Sequence, residues 1–178
     1  MMQRPLPDEY PEFFAGYVDR VPEVDIIAAL RGQIDVVRRV AASVAPERET
    51  YAYAPGKWTI RQVAGHIGDG ERVFSFRALC FSRADGTPLP GFDENAYVEH
   101  AGFRDIPLAD LVEEFALLRS ANLKMFEALR DAHWSATGTA NGKTVSVRAL
   151  AYVMAGHVRH HLAVLRDRYA IDAIAPTQ

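Results

Sequence analysis

The sequence predicts an all-α protein: a four-helix bundle with a short β-hairpin before its last helix. Three observations carry this. Four segments place apolar residues at the 3.6-residue period of an amphipathic helix. Each runs roughly 20–25 residues, and helices of that kind bury their apolar stripes by packing side by side. Proline- and glycine-rich connections, plus one Asn-Gly turn, separate them.

Residues 1–21 read as an irregular N-terminal arm, because Pro5, Pro7 and Pro11 block a long helix. Tyr10, Phe13, Phe14 and Tyr17 are expected to pack it onto the body. The first long helix is expected from Pro22, an acceptable first-turn residue, to about Val44. Its stripe is Ile26, Ile27, Leu30, Ile34, Val37, Val40 and Ala41, and Pro46 ends it. The connection 45–58 closes with Pro55-Gly56-Lys57-Trp58. Thr59 is an N-cap with Gln62 as its capping-box partner, so the second helix starts there and runs to about Arg83. Ile60, Val63, Ile67, Phe74 and Phe81 form its stripe, with His66 roughly 60° from the centre, still inward. Gly65, Gly68 and Gly70 surround that histidine. A glycine inside a helix costs up to about 1 kcal/mol, so three together suggest close packing or room for a ligand.

Residues 84–106 are the longest irregular stretch, of the length used for lids and binding loops. The third helix is expected from Leu108 to Ala132, with Leu111, Phe115, Leu118, Met125 and Leu129 inward and Asn122 in mid-stripe. A hairpin follows at Thr137–Val147 around Asn141-Gly142, a type I′ signal. The fourth helix covers about 146–169, and Ala170–Gln178 reads as a frayed tail. The long connections permit a crossover, so strict up-down order is not required.

The chain has 178 residues, 49% of them hydrophobic, which suits a single domain with a sizeable core. Its net charge is −3 with the signs interspersed, which gives nucleic-acid binding little support. Cys80 is the single cysteine and forms no internal disulfide, as expected in a reducing compartment. No apolar run reaches about 18 residues, so no membrane span is expected. The N-terminus lacks the apolar core of a signal peptide. A cytoplasmic protein is the expectation.

The chemistry concentrates in Gly156-His157-Val158-Arg159-His160-His161. His157 and His161 are four residues apart and share a helix face. They lie on one arc with Leu150, Met154, Val164 and Leu165, inside the apolar stripe. A buried imidazole needs a partner for each ring nitrogen. A metal ion is one such partner; hydrogen bonds to other core side chains are the alternative. His160 sits at the edge of the face, and an i, i+3 pairing with His157 stays geometrically open. Glu71 leans inward and Asp69 outward on the second helix; either can orient a ligand imidazole or be ordinary surface charge. Asn122 needs a partner for its amide if buried, at a pocket or between helices. Candidate catalytic groups are therefore Asn122, Glu71 and His160. Arg119 reads as a solvated helix-face residue, with binding of an acidic substrate as the alternative; Cys80 reads as a small buried apolar residue rather than a nucleophile, Trp58 as a core anchor rather than a substrate platform, and His100 and His133 as inert residues in or near loops. Asp93 and Glu94 reach the site only if their loop folds back.

Two motifs together resemble the DinB/YfiT-like superfamily. Pro55-Gly56-Lys57-Trp58-Thr59-Ile60-Arg61-Gln62-Val63, followed by Gly65-His66-Ile67, resembles the opening of that family's second helix. His157-Val158-Arg159-His160-His161-Leu162 looks like its closing motif. Leu89–Asn95 and Trp134-Ser135 are similar too, and the likeness runs from about Tyr17 to Tyr169. It implies an up-down-down-up bundle, often a homodimer. It also implies a divalent metal held by three histidines, which fall here on His66, His157 and His161. Zinc or nickel comes first, with iron(II) or manganese also compatible with imidazole ligands. Three protein ligands leave one open position, the layout of a catalytic zinc site. Members with an assigned activity resemble S-transferases that use bacillithiol or mycothiol, or a mycothiol-dependent isomerase. The expected function is activation of a low-molecular-weight thiol, or of water, against a small electrophile. The alternative is a non-catalytic, stress-related bundle that binds a metal or ligand.

Overall fold

A computed structural model describes residues 3–171 and residue 173. The helices are α1 (Ala15–Val18), α2 (Ile26–Ala42), α3 (Ile60–Ser82), α4 (Glu94–His100), α5 (Leu108–Glu127), α6 (Asp131–Trp134) and α7 (Val147–Tyr169). Strands β1 (Thr137–Ala140) and β2 (Lys143–Ser146) pair antiparallel just before α7. Among the described residues no helix is long and apolar enough to cross a membrane. The expected frayed tail lies, apart from Ala170, Ile171 and Ala173, outside the described residues.

The four long helices and the hairpin stand where the sequence puts them, with four corrections. α2 begins at Ile26, not Pro22. Asp25 caps it, its side chain accepting from the Ala28 N–H at 3.0 Å. The residues before it are held elsewhere: the Tyr152 hydroxyl donates to the Glu23 carbonyl at 2.9 Å, and the Glu23 carboxylate pairs with Arg159. α5 ends at Glu127, five residues before Ala132. Arg130 turns extended there, and the short α6 lays the Trp134 ring flat on Phe126, 5.4 Å between centroids. The 84–106 stretch contains α4, capped by the Asp93 side chain on the Asn95 and Ala96 N–H groups. The N-terminal arm includes α1; of its expected anchors Phe14 is buried and Tyr10 and Tyr17 pack against the core, whereas Phe13 is exposed, and Val18 and Val21 add two fully buried contacts. At Asn141-Gly142 both φ angles are positive, 51° and 69°, as a type I′ turn requires.

Contacts fix the helix directions. Arg31 pairs with Glu127 and Arg38 with Glu113, so α5 runs against α2. Arg61 binds the Arg104 carbonyl before α5, and Arg72 pairs with Glu114, so α3 and α5 run together. The Tyr169 hydroxyl donates to the Trp58 carbonyl while Gly70 meets His157, so α7 runs against α3. Gln33 donates to the Ala155 carbonyl and Arg48 to that of Tyr169, so α7 runs with α2. Around the ring the order is α2, α5, α3, α7. That is an up-down-down-up bundle with the α2–α3 connection crossing the diagonal.

Two apolar clusters fill the interior. One holds Leu30, Phe74, Leu123 and Ala155; the other holds Val37, Ile67, Phe115 and Val158. On every long helix a polar residue stands between the two: Gln33, Glu71, Arg119 and His157, all buried. Arg119 is 0% exposed. It donates to both Glu71 carboxylate oxygens at 2.8 Å, and to Gln33 Oε1 at 2.8 Å and the Leu30 carbonyl at 3.1 Å. Asn122 Nδ2 donates to Glu71 Oε1 at 2.8 Å. Gln33 Nε2 then reaches the Ala155 carbonyl at 2.8 Å. This layer ties all four helices at one height.

Close backbone approach also locates α7. A Cβ on Gly156 would lie 2.0 Å from the Tyr17 carbonyl oxygen, so the arm packs directly on the helix backbone. A Cβ on Gly32 of α2 would meet nothing within 4 Å. Gly156→Ala is therefore expected to cost about 1–3 kcal/mol, as overpacking does. Gly32→Ala is expected to gain about 0.5–1 kcal/mol from helix propensity. Urea unfolding of the two variants beside the parent checks both signs.

Candidate metal centre

His66 comes from α3, and His157 and His161 come from adjacent turns of α7. Their rings turn the same nitrogen inward. His157 Nε2 lies 2.9 Å from His66 Nε2 and 3.1 Å from His161 Nε2. One nitrogen from each of the three lies within 4.8 Å of the others, and the trio is a group able to hold a metal ion. Ligand nitrogens around a tetrahedral zinc ion, at 2.0–2.1 Å from it, stand about 3.3 Å apart, close to the spacing seen.

Local sequence explains the convergence. The antiparallel contact of α3 and α7 sets His66 opposite the i, i+4 pair. Gly70 makes the room: a Cβ there would sit 2.6 Å from His157 Cε1. Gly65 gives way likewise to the Phe103 ring, which would lie 2.4 Å from its Cβ, whereas Gly68 meets only Arg72 at an ordinary 3.7 Å. Two of the three helix glycines are thus close-packing positions, and one of them faces the site.

Hydrogen bonding alone does not satisfy this trio. An imidazole nitrogen carries either a proton or a lone pair. Of three nitrogens facing one point, at least two are of the same kind, and like kinds do not pair. A cation that accepts three lone pairs matches all of them, so the donor set fits a divalent transition metal. Aromatic rings flank the imidazoles: between centroids, Trp58 lies 4.8 Å from His66 and stacks on His161 at 6.5 Å, while Tyr17 and Phe74 each lie edge-to-face with His157 at 5.6 Å. Trp58 thus forms part of the site wall as well as anchoring the core.

Burial is the main force on these rings' protonation, with the neighbouring imidazoles adding to it. It pushes His66 down to about 4 and His161 down to about 2, and holds His157 well below the usual range. The rings are neutral at pH 7 and present lone pairs, as metal ligation requires. His66 Nδ1 is buried without a partner.

The histidines form one end of a cavity of about 370 Å³. Tyr17, Phe14 and Phe13 line one side, Phe92 and Glu94 another, and the hairpin residues Asn141 and Val145 a third. The 84–93 segment is stitched down, not a free lid. The Leu89 N–H donates to the Thr139 carbonyl at 2.9 Å and the Asn141 N–H to the Leu89 carbonyl at 3.0 Å. Arg77 holds the Pro90 carbonyl at 2.9 Å. Glu94 reaches the cavity; Asp93 is spent as the α4 cap.

The remaining candidates divide by place. His160 is half-buried on the cavity wall, its ring edge against Tyr17, and burial lowers its pKa. Glu71 and Asn122 lie in the polar layer, where Glu71 accepts from both Arg119 and Asn122, and neither lines the cavity. Glu71 is not surface charge, and Arg119, read as a solvated residue, is its fully buried partner. Asp69 is half-buried and bonds none of the imidazoles; burial raises its pKa. Burial pushes the Cys80 thiol up, away from nucleophile range. His100 bonds the Ala96 carbonyl of its own helix and His133 accepts from the Arg130 N–H, both outside the site. Sequence reasoning missed Arg77 and the hairpin wall. Arg77 lies seven residues after Gly70, two helical turns on, and that spacing was the signal available.

In the unfolded chain each histidine titrates near 6.5, whereas in the fold His66 is pushed to about 4 and His161 to about 2. Below pH 6.5 the unfolded state therefore binds more protons, and stability falls with falling pH by about 1.4 kcal/mol per unit for each buried histidine. Above that range the contribution is complete and flat. Urea titration of chelator-treated protein at about pH 7.5 and about pH 5.5 is expected to give the lower midpoint at the acid pH. Equal midpoints would contradict the burial of neutral rings.

Two known proteins are similar to this chain, one in sequence and one in fold. A Geobacillus thermodenitrificans protein named "Putative metal-dependent hydrolase" is 23% identical over 139 residues, spanning 77% of this chain and 78% of that protein. The structure of YfiT from Bacillus subtilis, described as a probable metal-dependent hydrolase with an unusual four-helix bundle topology, superposes with a TM-score of 0.73. It covers 93% of both chains at 16% identity, and the likeness is one of fold. The DinB superfamily model matches residues 29–165, a span that begins in α2 and holds all three histidines, and the chain belongs to the DinB superfamily.

Proposed function

We propose that this protein is a metal-dependent enzyme in which His66, His157 and His161 hold one divalent cation at the head of the cavity. The observation that carries the reading is the convergence of three neutral Nε2 atoms on one point that opens onto space for a small molecule. Bound there, such an ion supplies a Lewis acid that makes a nucleophile of water or a thiol at neutral pH. The chain's own groups do the rest. Trp58, Phe74 and Tyr17 exclude bulk water behind the rings. His160 is neutral at pH 7 and faces the cavity, so it takes the proton that the nucleophile gives up. Burial raises the Tyr17 pKa, so the phenol keeps its proton as a hydrogen-bond donor.

Hydrolysis of a small electrophilic substrate is the first reading, supported by the relatives' names. Transfer to a low-molecular-weight thiol is the second. The cavity of about 370 Å³ favours it, being roughly tenfold the share of volume one water takes.

Metal analysis of purified protein is expected to find about one ion per chain, and His161→Ala to lose it, since the remaining pair holds an ion weakly. His160→Gln is expected to keep the ion and lose about 10²–10⁴ in kcat on whichever ester, amide or thiol acceptor a screen identifies. Equally little metal in parent and His161→Ala would remove the proposal. Full metal with no turnover in any hydrolytic or thiol-transfer assay would leave a metal-stabilised bundle instead.

A further inference from the structure

Arg77 is only 6% exposed, yet it has no carboxylate partner among the described residues. Its single hydrogen bond goes to the Pro90 carbonyl. A guanidinium carries five N–H donors. His66 Nδ1 is the one fully buried side-chain nitrogen or oxygen without a partner among the described residues, so the unspent donors of Arg77 open onto space. The space that Arg77 borders is the cavity of the three histidines. Contrast Arg119, buried completely, whose donors meet Glu71, Gln33 and a carbonyl. A buried charge without a counter-charge is costly, and an anionic ligand relieves that cost.

Placement agrees. Phe74 stands between the two ends, its centroid 5.9 Å from the guanidinium carbon and 5.6 Å from the His157 ring. Gly70 and Arg77, two helical turns apart, put the imidazole end and the cationic end roughly 10 Å from each other. Aromatic side chains line the wall between them, Phe14, Phe74 and Phe92 among them. Glu94 and Lys143 also border the cavity, both exposed at its rim and neither ion-paired with Arg77.

We infer that Arg77 is the anion-binding end of this cavity, and that the ligand is an organic carboxylate. Its apolar or aromatic body spans the distance to the three histidines. This rests on the preceding proposal only for what happens at the far end; recognition of the carboxylate by Arg77 does not need the ion.

The probes are 4-phenylbutyrate and its neutral counterpart 4-phenylbutanol, titrated into the purified protein while tryptophan fluorescence is followed; of the two tryptophans, Trp58 lines the cavity and Trp134 does not. The carboxylate is expected to bind about 10- to 100-fold more tightly than the alcohol, the range of hydrogen bonds to a charged group. Arg77→Met is expected to abolish that preference while still binding the alcohol, and Arg77→Lys to keep part of it. Persistence of alcohol binding shows that the Met variant still has its cavity. His161→Ala separates the two ideas. A preference that survives His161→Ala and vanishes in Arg77→Met supports Arg77 as the anion site. A preference that vanishes in His161→Ala and survives in Arg77→Met belongs to the ion and overturns the inference. Equal affinity for both probes, or no saturation by the carboxylate up to about 10 mM, overturns it as well.

Discussion

The buried Glu71–Arg119 ion pair sets the height at which everything else in this bundle is arranged. It has no access to water, and such a pair survives only when its other donors and acceptors are met. Here they are met by Gln33 and the Leu30 carbonyl of α2 and by Asn122 of α5 itself. Gln33 passes the constraint to α7 through the Ala155 carbonyl. The consequence is positional. Glu71 is the residue after Gly70, and Ala155 lies two residues before His157, so the layer fixes both sides of the contact that aims the central imidazole. Sliding either helix by one residue would leave charges unpaired in a dry interior.

That constraint explains why three histidines tolerate one another. Burial alone would make each ring costly, and crowding three of them compounds the cost by forbidding protonation. The fold accepts it by packing aromatic rings around the imidazoles and leaving one face toward a cavity. Neutral rings, fixed spacing and an open side are what a three-histidine cation site requires. A core meant only for stability would have been served by apolar residues at the same positions.

Much of this was legible in the sequence, and the parts that were not share a cause. Thr59 and Gln62 announced the start of α3 because a capping box is a local device, complete within four residues. Asn141-Gly142 announced the hairpin for the same reason. The i, i+4 pair of His157 and His161 followed from helix geometry, while His66 needed the resemblance to a family, since nothing local says what α3 faces. The start of α2 was misplaced because Glu23 is held by Tyr152 and Arg159, partners more than 120 residues away. Arg119 reads as solvated in the sequence because a helical wheel gives direction but not the partner that makes burial tolerable. The 84–106 segment has the composition of a loop, although Asp93 caps a helix within it and Leu89 joins the hairpin. Composition rich in proline and glycine marks a break in regular structure, not what the break is anchored to.

The central claim is that the inward nitrogens of His66, His157 and His161 share one cation. X-ray absorption at the metal edge of the zinc-loaded protein reads that shell directly. The account predicts three imidazole nitrogens at about 2.0–2.1 Å, with the multiple-scattering pattern of histidine rings and a fourth light-atom ligand. A shell of oxygen atoms without imidazole scattering, or one with a single histidine, would contradict it.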